Sequence, residues 1–117
     1  MDTAIFEFET PVTHFTKPSS STVIYSKAIE NFGIYEGKEI STIHPILVQF
    51  EYEDDYCLAI NSEFNICASG KNEAKAMKEF KEVAIETCLH YLKANDSILT
   101  ESAIELKKLF QKEFIIE

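Results

Sequence analysis

Arginine is absent from this chain: all eleven of its cationic side chains are lysines, set against twenty Asp and Glu, for a formal net charge of -9. Arginine is the planar fork best suited to phosphates and guanine edges, and a domain that binds nucleic acid by itself carries a basic face. Direct DNA or RNA binding by this chain alone is therefore not expected, and a basic protein is the natural complement of its field. Glycine is scarce, three in all, and neither a Gly-x-Ser-x-Gly nor a phosphate-loop pattern occurs, which argues against nucleophile-elbow and P-loop chemistry. Three cysteines, Cys57, Cys67 and Cys88, have neither a paired count nor metal spacing. Each falls within an expected element and reads as a reduced, small buried hydrophobe. Long apolar runs are missing as well. Nothing approaches the ~18 residues of a membrane helix, and the first ten residues lack the basic start and apolar stretch of a signal peptide. A cytoplasmic location away from membranes is the expectation.

What is present is concentrated in residues 46–93. Ile46, Val48, Phe50 and Tyr52 alternate along one side of a strand. Glu53-Asp54-Asp55 supplies a polar turn, residues 56–60 read as the returning strand, and residues 64–68 as a third, ended by Ser69-Gly70. If the second turn centres on Ser62, Cys57 faces Cys67 across the sheet. Gly70 is placed where a strand-to-helix corner often needs glycine's backbone freedom. Asn72 is the expected N-cap of a long helix, with Glu73 at its positive end. Met77, Phe80, Ala84, Cys88 and Leu92 then recur at spacings of three and four, one apolar stripe over about four turns.

On either side the pattern is weaker. Residues 4–9 and 22–26 read as strands, and residues 27–35 as either a helical turn or a continuing strand. Gly37 and Pro45 punctuate the approach to Ile46. Thr100 caps a second helix from Glu101 to about Lys112, with Ala103, Leu106, Phe110 and Phe114 as its stripe. The expected fold is α+β, a small antiparallel sheet of three or more strands packed by one long helix, with a second, C-terminal helix. All 117 residues suit a single domain: an extension over 1–45, a β-β-β-α core over 46–93 and a C-terminal helix over 94–117.

Both faces of the central strands are apolar, Leu47 opposing Ile46 and Val48, and one helix covers only one face. The N-terminal strands, the C-terminal helix or a second copy must cover the other. That count points to a homodimer, with Leu106, Phe110, Phe114 and Ile116 as candidate interface residues. The densest acidic cluster, Glu51, Glu53, Asp54 and Asp55 with Tyr56 beside it, is the candidate partner-binding surface. The competing readings are a solvated hairpin tip and, further off, a magnesium-dependent hydrolase. His14, His44 and His90 share no spacing with a cysteine or carboxylate that makes a zinc site, and Cys88 and His90 point apart on a helix. No catalytic residue, metal or cofactor is expected.

The stretch Tyr56-Cys-Leu-Ala-Ile-Asn-Ser-Glu-Phe64, followed by Ala68-Ser-Gly-Lys-Asn-Glu-Ala-Lys-Ala-Met77 and the helix to Leu92, resembles the HicB-like antitoxin family. In that family two strands with an aromatic–x–Ala core and a Pro-Glu-Leu-like turn precede a Gly-Asp-Thr-x-Glu-Glu-Ala helix start. Ala59 matches the small strand residue, Glu63-Phe64 the turn, Gly70 the glycine, and Glu73-Ala74 part of the helix start. The resemblance implies a degraded ribonuclease-H-like fold without nuclease activity that occludes a small basic ribonuclease toxin. The Pro-Gly after the turn is lacking, residues 1–45 have no counterpart, and the tail is too short and acidic for the family's DNA-binding module. A stand-alone homodimeric domain of the same fold with a regulatory role is the alternative.

Overall fold

A two-residue turn, Glu36-Gly37, sets the sheet's first hairpin. Both residues take positive φ, 53° and 81°, the mirror-image turn whose twist matches that of paired strands. In the computed structural model, which describes residues 24–117, this turn joins β1 (Ile24–Tyr35) to β2 (Lys38–Tyr52). Strands β3 (Cys57–Asn61) and β4 (Ile66–Gly70) continue an antiparallel meander in the order β1-β2-β3-β4. Helix α1 (Glu73–Lys93), a 3-10 turn (Asp96–Ile98), helix α2 (Glu101–Glu113) and the short β5 (Phe114–Ile116) follow. The architecture is α+β, with one long and one C-terminal helix, as the periodicities predict. The strand expected at residues 4–9 and its role in covering the sheet lie outside the described residues.

Residues 27–35, open between helix and strand in the sequence, are strand, and residues 38–45 belong to β2, so Gly37 and Pro45 do not fence off an element. The pairing runs regularly from Ile24↔Glu51 to Ile29↔Ile46, then resumes at Asn31↔Ser41. Residues 42–45 therefore bulge opposite Glu30, and a bulge is where a strand tolerates proline's missing N–H. The other edge of β2 is shared: β3 pairs with residues 49–52 and β5 with Ile40–Thr42. Between them the Asn61 side chain, 6% exposed, donates to the Leu47 carbonyl at 2.8 Å and accepts from the Phe64 amide at 2.7 Å. One buried amide thus ties the β3–β4 loop to β2 and satisfies both its own ends.

Both helices pack on the same face of the sheet. Asn72 caps α1, its side chain accepting from Lys75 N at 2.9 Å, and Thr100 caps α2, accepting from Ala103 N at 3.2 Å. The α1 stripe buries Phe80, Ala84 and Cys88 as expected, with Ala76, Ile85 and Tyr91 beside them, while Met77 and Leu92 are half-buried at its margins. Under the two helices lies an aromatic cluster drawn from five places in the chain. Phe110 stacks on Tyr91 at 5.6 Å and meets Phe64 at 5.1 Å and Phe114 at 5.4 Å; Phe114 in turn meets Phe32 at 5.3 Å.

Two expectations are corrected by register and packing. The β3–β4 loop spans residues 62–65, with Asn65 at φ 60°, so Cys57 pairs with Gly70 and Cys67 with Ile60. The turn sits later than Ser62 by an odd step in register, which puts Cys57 and Cys67 on opposite faces of the sheet; all three cysteines are free. Gly70 is needed for space rather than for backbone conformation. A Cβ there would lie 2.5 Å from Ala76 N and 2.6 Å from Lys75 C, in the first turn of α1, and its φ is not among the positive ones.

Candidate functional site

The acidic hairpin between β2 and β3 is closed by the Glu53 amide donating to the Tyr56 carbonyl at 2.8 Å. That bond holds Glu53, Asp54 and Asp55 together on the surface, with the Tyr56 ring 46% exposed beside them. Behind the tip, the Tyr52 hydroxyl donates to Glu73 Oε1 at 3.0 Å and so locks the strand end to the first turn of α1. The tip is therefore a solvated anionic knob on a rigid base. Four of the five candidate partner-binding residues are brought together there.

Glu51 is not one of them. Strand alternation turns it onto the sheet face opposite the helices, between Ile24 and Leu58, where it is 4% exposed. Burial, and then the nearby Glu53 charge, raise its pKa above the usual carboxylate value. The sign follows from linkage. With the folded pKa raised, ionised Glu51 weakens the fold; this cost is absent below the unfolded value near 4.5, grows as pH rises from there, and is complete once pH lies above the folded value. Glu51→Gln is thus expected to raise the thermal midpoint by a few degrees at pH ~7.5, with the gain vanishing near pH ~4. Paired melts at the two pH values check this; a lower midpoint at neutral pH would show that the charge is used by the fold.

The thiols offer no nucleophile. Burial pushes Cys88 up to about 12 and Cys67 up to about 11, the latter helped by the Glu51 charge. Burial and then Glu73 raise Cys57. Such groups are almost wholly protonated at neutral pH. Among the described residues no three of His, Cys, Asp and Glu stand together in a way that holds a metal ion. His44 instead joins the β2 bulge to α2, its Nδ1 lying 3.0 Å from Glu113 Oε1. No helix of the described residues is long and apolar enough to cross a membrane.

No protein-family model matches this chain, and neither does any curated protein or solved structure. The site must be read from its own chemistry.

The residues assigned from sequence to a subunit interface are placed differently by the fold. Phe110 is fully buried and Phe114 8% exposed in the chain's own aromatic cluster, while Leu106 and Ile116 are half-buried against the same core. The C-terminal helix closes over them, so they need no second copy to cover them. Among the described residues the large aliphatic side chains left in water lie elsewhere: Ile34, Ile43 and Leu47 on the β1–β2 hairpin, exposed by 72%, 54% and 59%, and Ile98 in the 3-10 turn, exposed by 75%. Leu47, opposing Ile46 and Val48, was the sequence signal for them. Ile34 and Ile43 gave none, since β1 and the first half of β2 were not legible as one long hairpin.

Proposed function

We propose that this chain is a non-catalytic, cytoplasmic protein-binding module of the antitoxin type, whose partner is a small basic protein of the kind HicB-like antitoxins occlude. The observation that carries the reading is the exposed knob of Glu53, Asp54 and Asp55 with Tyr56 at its side, on a chain of net charge -9. Like-signed charge on a fixed base attracts a basic surface over distance, and an exposed aromatic ring beside it supplies contact area. The β2-β3-β4-α1 order over the matched stretch is consistent with the core expected for that family.

The test is recovery of the tagged full-length protein from its native host in low salt. The reading expects one small basic protein in stoichiometric amount, lost when Glu53→Gln, Asp54→Asn and Asp55→Asn are combined. Its absence, or its retention by the neutralised variant, would overturn the reading. The second reading, a stand-alone homodimer of this fold in a regulatory role, is favoured by the exposed Ile34, Ile43 and Leu47. Light scattering separates the two, since that reading requires a dimeric mass with no partner present.

A further inference from the structure

Two side chains on the sheet face turned away from the helices are buried where no described element lies over them. Register defines that face: Glu51 pairs with Leu58 and Gln49 with Ile60, while Leu58 pairs with Ser69 and Ile60 with Cys67. The intervening Phe50 and Ala59 are buried in the core under the helices, so these residues point outward. An uncovered sheet face leaves its side chains largely in water. The β1–β2 half of this face shows it, with Ala28 and Gln49 exposed and Leu47 exposed by 59%. On the β3–β4 half, Glu51 is 4% and Ile60 5% exposed, with Leu58 and Cys67 half-buried beside them. Helix α1 packs on the other side of β3 and β4 and hides none of the four. These exposures are those of one chain by itself, so the cover is part of the same chain.

We infer that the chain's own residues 1–23 form a strap seated on the β3–β4 half of the outer face, over Glu51, Leu58, Ile60 and Cys67. The point of entry supports this. Ile24, the first described residue, pairs with Glu51, so the segment before it starts at the rim of the seat. Crossing from β1 to β4 covers three strand spacings, roughly 14 Å at ~4.8 Å each, which about five extended residues span. The 23 residues available are ample. Their composition fits as well: Phe6 and Phe8 alternate with Glu7 and Glu9, one apolar edge for Leu58 and Ile60 and one polar edge for water. The strap borders the acidic tip, since Glu51 stands two residues before Glu53, and so limits the surface open to a partner on that side. The inference does not depend on the partner being basic.

The test uses the full-length chain with the photo-crosslinking residue p-benzoylphenylalanine in place of Gln49, which is exposed and lies beside Ile60 on this face. The protein is irradiated at low concentration, digested, and the joined peptides are identified by mass. The expected product joins residue 49 to a peptide from residues 1–23 of the same chain. A product joining two chains would give the seat to a second copy, and one confined to residues 24–117, or none, would overturn the strap. Cys67 gives an independent reading. Cys57 and Cys88 are 0% and 1% exposed, so in the folded protein Cys67 is the thiol open to a maleimide. Phe6→Ser with Phe8→Ser should speed its labelling at least about tenfold, because a thiol freed from burial ionises more readily and is easier to reach. Continued protection of Cys57 and Cys88 reports an intact core, and an unchanged Cys67 rate in that core would remove residues 6–8 from the seat. If all three thiols react, the cross-link in the chain with Phe6 and Phe8 intact decides.

Discussion

Phe110→Ala is expected to remove about 3–5 kcal/mol of folding stability, a large share of the ~5–15 kcal/mol available to a domain of this size. Phe110 has no exposed surface and lies within 5.6 Å of three other rings. The substitution loses the ring's transfer free energy and leaves a void among Phe64, Tyr91 and Phe114, which belong to separate elements and cannot all relax into it. Packing, not ring geometry, dominates: an aromatic pair adds only about 0.5–1.5 kcal/mol beyond area. Ile98→Ala is the control. Ile98 is 75% exposed, and its loss should change stability by no more than about 0.5 kcal/mol. Urea unfolding of the three proteins measures this; a Phe110→Ala loss below about 1 kcal/mol would mean that the aromatic cluster is loosely packed. The same burial means that a charge introduced at Phe110 reports on unfolding and not on subunit association.

Gly70→Ala should cost about 3 kcal/mol, at the upper end of overpacking changes, and lower the thermal midpoint by on the order of 10 °C. One added methyl group would normally stabilise an extended segment slightly by restricting the unfolded chain. Here the close approach outweighs that gain, because the new Cβ would meet Ala76 N at 2.5 Å and Lys75 C at 2.6 Å. Both are backbone atoms in the capped first turn of α1, so relief requires moving the helix off β4 rather than turning a side chain. Thermal melts decide the sign: a midpoint unchanged or raised would show that the strand-to-helix junction gives way easily.

The two helices, the caps Asn72 and Thr100, and the strands on either side of the acidic turn were legible in the sequence. Each is specified by neighbours in the chain, through a period of two or of three to four and a capping side chain. The acidic tip was legible for the same reason, since residues 53–55 are polar between two apolar runs. Glu51 belonged to that run of acids by sequence and to the sheet face by structure. Its separation from Glu53 depends on where β2 ends and on what lies over the sheet.

The sequence by itself determined the fold class, the apolar stripes of both helices and the anionic turn, because periodicity and composition are local properties of the chain. Tertiary structure decided the rest. An odd step in the β3–β4 register put Cys57 and Cys67 on opposite faces, and a bulge at residues 42–45 carried β2 through Pro45. Helix α2 folded back over the core and buried Phe110 and Phe114. That moved the unpartnered apolar surface from the C-terminal helix to the β1–β2 hairpin. Which side chains remain in water is fixed by contacts between elements far apart in sequence, and no period within one element encodes it.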